Sequence, residues 1–126
     1  MTVEIPQKNW AQFCDKLNQS QTGAMMDIRI QADGDFRLVA KSVALQSTVF
    51  DEAHDACNNA IVIEFGLPDE KPSQHSVIGP ARLVLRKGTD GDHYNLLEMP
   101  AENGTTVITL HPGISRALLN SLQIAS

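Results

Sequence analysis

An amphipathic helix is predicted by residues 5–13, which read Ile-Pro-Gln-Lys-Asn-Trp-Ala-Gln-Phe. The apolar positions recur at three- and four-residue intervals and so share one helical stripe. That stripe consists of Trp10, Phe13, Cys14 and Leu17. Pro6 suits the first helical turn, because its missing N–H would have no partner there, and Gly23 marks the exit. We therefore expect an N-terminal helix that packs its apolar stripe on the elements that follow.

Those elements read as short strands. Apolar and polar residues alternate over residues 26–31, Asp33-Gly34-Asp35 is typical of a turn, and the alternation resumes over 36–41. The other strand-like segments are 45–50, 61–65, 75–78, 81–87, 94–99 and 105–110. We expect a turn at 88–92 and a hairpin at Asn103-Gly104. Because the connections are short and contain no helix, the sheet is predicted to be antiparallel and largely a meander.

The end of the chain predicts a second, shorter helix. Ile114, Leu118 and Leu122 lie four residues apart, which indicates a helix over about 114–123. With no linker or repeat, residues 1–126 are predicted to form a single domain. The expected fold class is α+β: an N-terminal amphipathic helix packed on a bent or barrel-like antiparallel sheet of six to seven strands, with a short C-terminal helix.

Composition narrows the classes of function. The 15 acidic and 10 basic side chains give a formal charge of −5, which opposes binding to a phosphate backbone. We therefore expect no nucleic-acid partner. No leader and no apolar run of membrane-spanning length is visible, so we expect no membrane partner and a cytoplasmic location. Cys14 and Cys57 form no Cys-x-x-Cys pair, and no cofactor is predicted.

The sequence resembles a family of small uncharacterised bacterial proteins known only as a domain of unknown function. The resemblance covers about residues 5–110 and leaves the C-terminal helix outside. It depends on Ile5, Pro6, Trp10 and Phe13, and on the segments 43–46, 61–66, 75–80, 96–98 and 103–106. Ser47 departs from the pattern, since such proteins tend to have Gly there. The resemblance implies a compact α+β domain and transfers no catalytic residue.

One polar segment offers donors for a metal ion. Residues 51–57, Asp-Glu-Ala-His-Asp-Ala-Cys, contain oxygen, nitrogen and sulfur donors. A closed shell would need a further ligand from elsewhere, such as His75, His93 or His111. A solvated connection between strands is the simpler interpretation, so no metal site is predicted.

Histidines and arginines at strand positions supply the remaining candidates. A hydrolase would need His75, His93 or His111 beside a nucleophile, with Ser42, Ser47, Ser76 and Cys57 as the candidates. No nucleophile motif is present, so no catalytic residue is predicted. Arg82 and Arg86 share a strand face and could bind an acidic group. The candidate ligand or partner surface is therefore His75, Arg82, Arg86 and His93.

Two functional readings follow. The first is a non-enzymatic binding or interaction module. It could be a homodimer, because residues around Leu96-Leu97 and Val107-Ile108 are apolar on both sides of their strands. The alternative is a small-molecule-binding protein or weak hydrolase with a pocket at the open end of the sheet, lined by His75, His93 or Arg82.

Overall fold

The computed structural model describes residues 2–55, 58–67, 69–87, 93–102 and 104–122. A 3₁₀ turn, Gln7–Asn9, leads into helix α1, Trp10–Ser20, and helix α2 spans Arg116–Ser121. The strands are β1 (Thr2–Glu4), β2 (Met25–Ala32), β3 (Asp35–Asp51), β4 (Ala60–Phe65), β5 (Ser73–Ile78), β6 (Val84–Lys87), β7 (Tyr94–Ala101) and β8 (Gly104–Ile114). The predicted turn at 88–92 lies outside the described residues.

All strands belong to one antiparallel sheet in the order β1-β6-β7-β8-β2-β3-β4-β5. Two meanders, β6-β7-β8 and β2-β3-β4-β5, are joined through the pairing of β8 with β2. The predicted α+β class and the antiparallel sheet are therefore confirmed. The predicted count of six to seven strands is wrong, because the described residues form a sheet of eight. It is also an open sheet rather than a closed barrel, with β1 and β5 at its edges.

The observed strands differ from the predicted ones in two places, and only the first of them, β1, adds to the count. Strand β1 is only three residues long and pairs Thr2–Glu4 with β6, so it carries no readable alternation. Strand β3 joins two predicted strands into one of 17 residues. Residues 35–44 pair with β2 and residues 45–51 with β4, and Ser42, within the first part, has φ +54°. Around this left-handed residue the alternation of apolar and polar side chains is interrupted. The sequence therefore predicts two short strands where the structure has one.

Helix α1 is confirmed where the sequence predicts it. Trp10, Phe13, Cys14 and Leu17 are its buried residues, and all four belong to the core. The indole N–H of Trp10 donates to the carbonyl of Ile5 at 2.8 Å, and its ring meets Phe50 edge-on at 5.3 Å between centroids. The indole thus fills the core while its one polar atom is satisfied.

A side-chain clamp fixes α1 on β3. The Asn18 amide donates to the carbonyl of Thr48 at 2.8 Å, and its oxygen accepts from the N–H of Thr48 at 2.7 Å. The buried Thr48 hydroxyl donates to the carbonyl of Cys14 at 3.2 Å. The two bonds from Asn18 replace the hydrogen bonds to water that the Thr48 backbone loses when the helix covers it.

Helix α2 is shorter than the predicted 114–123. Ile114 is the last residue of β8, and Ser115 caps the helix by accepting from the N–H of Leu118 at 3.2 Å. Leu118, Leu119 and Leu122 join the core. Residue 123 lies outside the described residues.

The two faces of the sheet differ in character. Leu85, Leu97, Ile108 and Ile28 face inward and form the centre of the core with the helices. The residues that alternate with them lie on the opposite side, which we call the outer face. Leu96 and Val107 are therefore on the outer face, whereas their neighbours Leu97 and Ile108 are inside.

Candidate functional site

The interior of the sheet opens into a cleft at the end where β2 turns into β3. The turn residues Asp33 and Gly34 have φ +53° and +82°, values typical of a two-residue hairpin. Edge strand β5 lies on one side of the cleft, and the β2–β3 and β7–β8 hairpins form the other. The cleft has a volume of about 490 Å³ and is lined by Ile30, Ala32, Asp35, Phe36, Arg37, His75, Ser76, Val77, Ile78, Ala101, Gly104 and Thr106.

A hydrogen bond between two distant strands forms the inner wall of the cleft. His75 Nε2 in β5 lies 3.1 Å from Thr106 Oγ1 in β8. Three strands, β2, β3 and β4, lie between β5 and β8 in the order of the sheet. Strands in a flat sheet are about 4.8 Å apart, which would leave the two residues about 20 Å from each other. The sheet therefore curls until β5 faces β8.

The environment of His75 favours its neutral form. The side chain is half-buried, and burial lowers the pKa of its imidazole, with the positive charge of Arg37 lowering it further. A neutral imidazole has one nitrogen that donates and one that accepts a hydrogen bond. His75 can therefore form a hydrogen bond to a ligand through Nδ1 while Nε2 stays bonded to Thr106.

Arg37 is the cation of the cleft. It lies opposite Ile30 in the β2–β3 pairing, on the same side of the sheet as Thr106. Among the described residues Arg37 forms no ion pair, whereas Arg82 and Arg86 each do. Asp35 stands two residues earlier on the same strand and also lines the cleft. The cleft thus offers a guanidinium, an imidazole, a hydroxyl and one carboxylate beside an apolar wall.

Gly104 allows the two hairpins to approach each other closely. Its φ is +131°, and a Cβ built there would lie 2.8 Å from the carbonyl oxygen of Gln31. A larger residue would push the β7–β8 hairpin away from β2 and displace Thr106. The predicted Asn103-Gly104 hairpin therefore coincides with the side of the cleft, although Asn103 itself lies outside the described residues.

The structure separates the predicted surface residues. Only His75 lines the cleft. Arg82 pairs with Glu4, with Nη2 and Oε1 2.6 Å apart, and Arg86 pairs with Glu98, with Nε and Oε1 2.8 Å apart. His93 is exposed immediately before β7. The four residues therefore do not form one surface around the cleft.

The predicted donor segment after β3 forms a hydrogen-bonded turn in its described part. His54 Nδ1 lies 3.3 Å from Asp51 Oδ2, and Asp55 Oδ1 accepts from the N–H of Asn58 at 2.8 Å. Cys57 lies outside the described residues. In the part of the chain that the structure describes, no group of three His, Cys, Asp or Glu side chains is placed to hold a metal ion.

No catalytic pair is assembled from the described serines and histidines that the sequence suggested. Ser76 adjoins His75 on β5, so the two side chains leave opposite faces of the strand. Ser47 donates instead to Glu64 Oε1 at 3.2 Å. Cys14 is a free, buried thiol, and burial raises its pKa to about 11.

Arg37 and Thr106 are the cleft residues that sequence reasoning missed. Both occupy ordinary alternating positions in amphipathic strands, and neither belongs to a motif. Two predicted hairpin turns, at Asp33-Gly34 and Asn103-Gly104, could have pointed to this end of the sheet, since turns that lie together can border a cleft. They do not identify Arg37 or Thr106.

The described helices include none with the length and apolar character needed to cross a membrane. Comparison with known proteins found no matching family model, no matching curated protein and no matching solved structure.

Proposed function

We propose that this protein is a non-enzymatic binding module, and that the cleft between β5 and the two hairpins is its ligand site. The ligand is a small molecule that carries a carboxylate or phosphate group on an apolar body. One observation supports this proposal above the others: Arg37 and the His75–Thr106 pair meet in a single cleft of about 490 Å³.

The polar groups of the cleft fit an anion. A guanidinium binds carboxylate and phosphate through two parallel N–H bonds, which are stronger than bonds between neutral groups. Arg37 and His75 line the same cleft, and the positive charge of Arg37 lowers the pKa of the imidazole. A bound anion could accept hydrogen bonds from Arg37 and from the Nδ1–H of His75, while Nε2 of His75 accepts the proton of the buried Thr106 hydroxyl.

The size and the apolar lining fit the rest of such a ligand. Pockets for small molecules usually measure about 300–1,000 Å³ and are mostly apolar, with a few placed polar groups. Ile30, Val77 and Ala101 supply apolar surface beside the polar residues. Phe36 lies at the rim and is 69% exposed, so an apolar ligand body could cover it.

A weak hydrolase is the less supported alternative, since His75 is bonded to Thr106 and the neighbouring Ser76 points away from it. The resemblance to a family of unknown function supplies no activity for either reading. Cytoplasmic location and the lack of a nucleic-acid partner stay predictions.

Titration calorimetry with two probes, inorganic phosphate and benzoate, tests the proposal. We expect one binding site per chain and a loss of affinity of about tenfold in Arg37→Gln, because one charge-assisted contact is removed. Lys41→Gln is the matched control: it removes an exposed cation from the same strand, outside the cleft lining. Binding unaffected by Arg37→Gln, or no heat with either probe at millimolar concentration, would contradict the proposal.

A further inference from the structure

We propose that the free edge of β5 is a peptide-binding site, and that the ligand of the cleft is the C-terminal end of an extended peptide. The peptide pairs with β5 as a further strand of the sheet and places its terminal carboxylate at Arg37. This inference rests on the proposed function, because it assigns a class of ligand to the same cleft.

The backbone of β5 uses only one of its two sides. Strand β5 lies at the edge of the sheet, and among the described strands it pairs only with β4. The N–H of Gly79 donates to the carbonyl of Asn59 at 2.8 Å, which makes these residues a hydrogen-bonded pair at the end of the ladder. Such pairs alternate along antiparallel strands. The N–H and C=O groups of Gln74, Ser76 and Ile78 therefore face away from β4.

These outward groups are available to an added strand. Within the described ranges, the N–H groups of Gln74, Ser76 and Ile78 donate to no other element. Gln74 is exposed and Ile78 is 44% exposed, so solvent reaches both ends of this row. A row of unpaired N–H and C=O groups is the surface to which an extended peptide binds when it adds a strand to a sheet.

Strand β5 lacks the features that commonly protect a sheet edge. Edges are often blunted by a very short strand, a bulge, a proline or a charged side chain. Residues 73–78 read Ser-Gln-His-Ser-Val-Ile, with no proline, lysine or carboxylate, and their pairing with β4 has no register shift. The opposite edge strand, β1, has only three residues, and its Glu4 pairs with Arg82. The edge suited to a partner is therefore that of β5.

The free edge of β5 borders the cleft. Ser76 and Ile78 line it, and the β2–β3 and β7–β8 hairpins lie on its other side. A strand added to β5 would lie about 4.8 Å from it and so within the cleft. Each copy of the chain carries both hairpins across the cleft from β5, so pairing two β5 edges would crowd the hairpins of both copies. The edge therefore favours a single extended peptide over a second copy of this chain.

The cleft lining indicates what kind of peptide fits. Arg37 forms no ion pair among the described residues, and a guanidinium binds a carboxylate through two parallel bonds. Asp35 disfavours further acidic side chains in the ligand. Alternate side chains of the peptide would face the inner side and meet Ile30, Val77 and Ala101. We therefore expect a free C-terminus and apolar residues at alternate positions.

Titration calorimetry of the full chain with one tetrapeptide tests the carboxylate contact. The probe is acetylated Thr-Val-Thr-Val, used as the free acid and as the C-terminal amide. One free acid should bind per chain, and the amide should bind at least about tenfold more weakly. Arg37→Gln should weaken the free acid by about tenfold and leave the amide unchanged, because both changes remove the same contact. Lys41→Gln should alter neither affinity.

Methylation of the peptide backbone tests the strand pairing. N-methyl groups on one alternating pair of residues should weaken binding at least about tenfold, and those on the other pair much less, since only one set of N–H groups faces β5. Ser76→Pro removes one outward donor of β5 and leaves the ladder to β4, so it should also weaken binding, whereas Ser76→Ala should not. Hydrogen exchange needs no variant: the amides of Ser76 and Ile78 should exchange rapidly in the free protein and slowly with the peptide bound.

The outcomes separate this inference from the proposed function. Binding of benzoate without binding of the tetrapeptide at millimolar concentration would overturn the peptide site alone, and binding of neither would overturn both. Equal affinities for the free acid and the amide, or equal effects of the two methylated pairs, would also overturn the peptide site. Slow exchange of the Ser76 amide in the free protein, together with a doubled mass, would overturn it in favour of a second copy at this edge.

Discussion

His75 and Thr106 hydrogen-bond at 3.1 Å although they lie 31 residues apart and belong to strands separated by three others in the sheet. This bond fixes how far the sheet curls, because it ties edge strand β5 to the middle of the sheet. The same curl creates the cleft, which Arg37 and His75 both line. The ligand site that we propose is therefore a consequence of how the sheet closes on itself.

The stability of the protein should depend on the proton of His75. Its pKa is lowered from the ordinary 6.5 by burial first and by Arg37 second, so the unfolded chain binds this proton more readily than the folded one. The contribution of neutral His75 is thus present above about pH 6.5 and is lost as the pH falls through the lower folded pKa.

Urea unfolding at about pH 7.5 and about pH 5.5 measures this effect. His75→Gln keeps a hydrogen-bonding side chain and removes the titration, so its free energy of unfolding should fall less between the two pH values than that of the wild type. His93→Gln, an exposed histidine outside the cleft lining, is the control and should follow the wild type. Equal losses in the wild type and His75→Gln would refute the effect.

Trp10 anchors α1, and its replacement should be among the most damaging in the chain. Trp10→Ala should cost about 3–5 kcal/mol of unfolding free energy, because a 2% exposed indole leaves a large cavity. Trp10→Phe keeps most of the volume but leaves the Ile5 carbonyl unpaired, so we expect a loss of about 1–3 kcal/mol. Phe36→Ala, at a 69% exposed position, should change stability by less than about 0.5 kcal/mol. An unchanged melting temperature for Trp10→Ala would show that the helix is placed wrongly.

The Asn18 clamp should be specific to its amide. Asn18→Ala removes both bonds to the Thr48 backbone and should lower the free energy of unfolding by about 1–3 kcal/mol, since that backbone stays beneath the helix. Asn18→Asp keeps the acceptor for the N–H of Thr48 and loses the donor to its carbonyl. It should therefore lower the free energy of unfolding by less than Asn18→Ala does. Gln19→Ala, next along α1 and exposed, is the control. Equal free energies of unfolding for Asn18→Ala and Gln19→Ala would show that the bonds between Asn18 and Thr48 do not stabilise the fold.

Cys14 should be unreactive until the protein unfolds. Burial raises its pKa to about 11, so only about one thiol in a thousand is ionised at pH 8. In a Cys57→Ser background, labelling by iodoacetamide should be very slow in buffer and should rise to the rate of an ordinary thiol in denaturing urea. Rapid labelling of the folded protein would show that α1 does not turn Cys14 toward the core.

Local patterns in the sequence predicted the local elements well. The stripe around Trp10 and Phe13 gave α1, because helical periodicity and a suitable Pro6 coincide within a few residues. Asp33-Gly34 predicted the β2–β3 hairpin, because these two typical turn residues lie between two segments of alternating apolar and polar residues. Strand β3 was divided in two because Ser42, whose N–H donates to Asp27 Oδ1 at 2.7 Å, breaks the alternation without ending the strand.

The cleft could be predicted only in part, because its residues meet through the tertiary fold. His75 was selected from its position at a strand, but nothing near it in the chain indicates Thr106 or Arg37 as partners. Arg82 and Arg86 looked equally suitable and proved to be paired with Glu4 and Glu98. Those pairings depend on the β1–β6 and β6–β7 registers, and β1 was not predicted at all.

Chemical-shift mapping of the backbone amides tests the ligand site most directly. Phosphate and benzoate should shift the amides of Arg37, His75, Ala101 and Thr106 in the wild type, and Arg37→Gln should largely abolish these shifts while Lys41→Gln preserves them. Shifts that are absent, that spread over the whole surface, or that persist unchanged in Arg37→Gln would contradict the proposal that the cleft binds an anionic ligand.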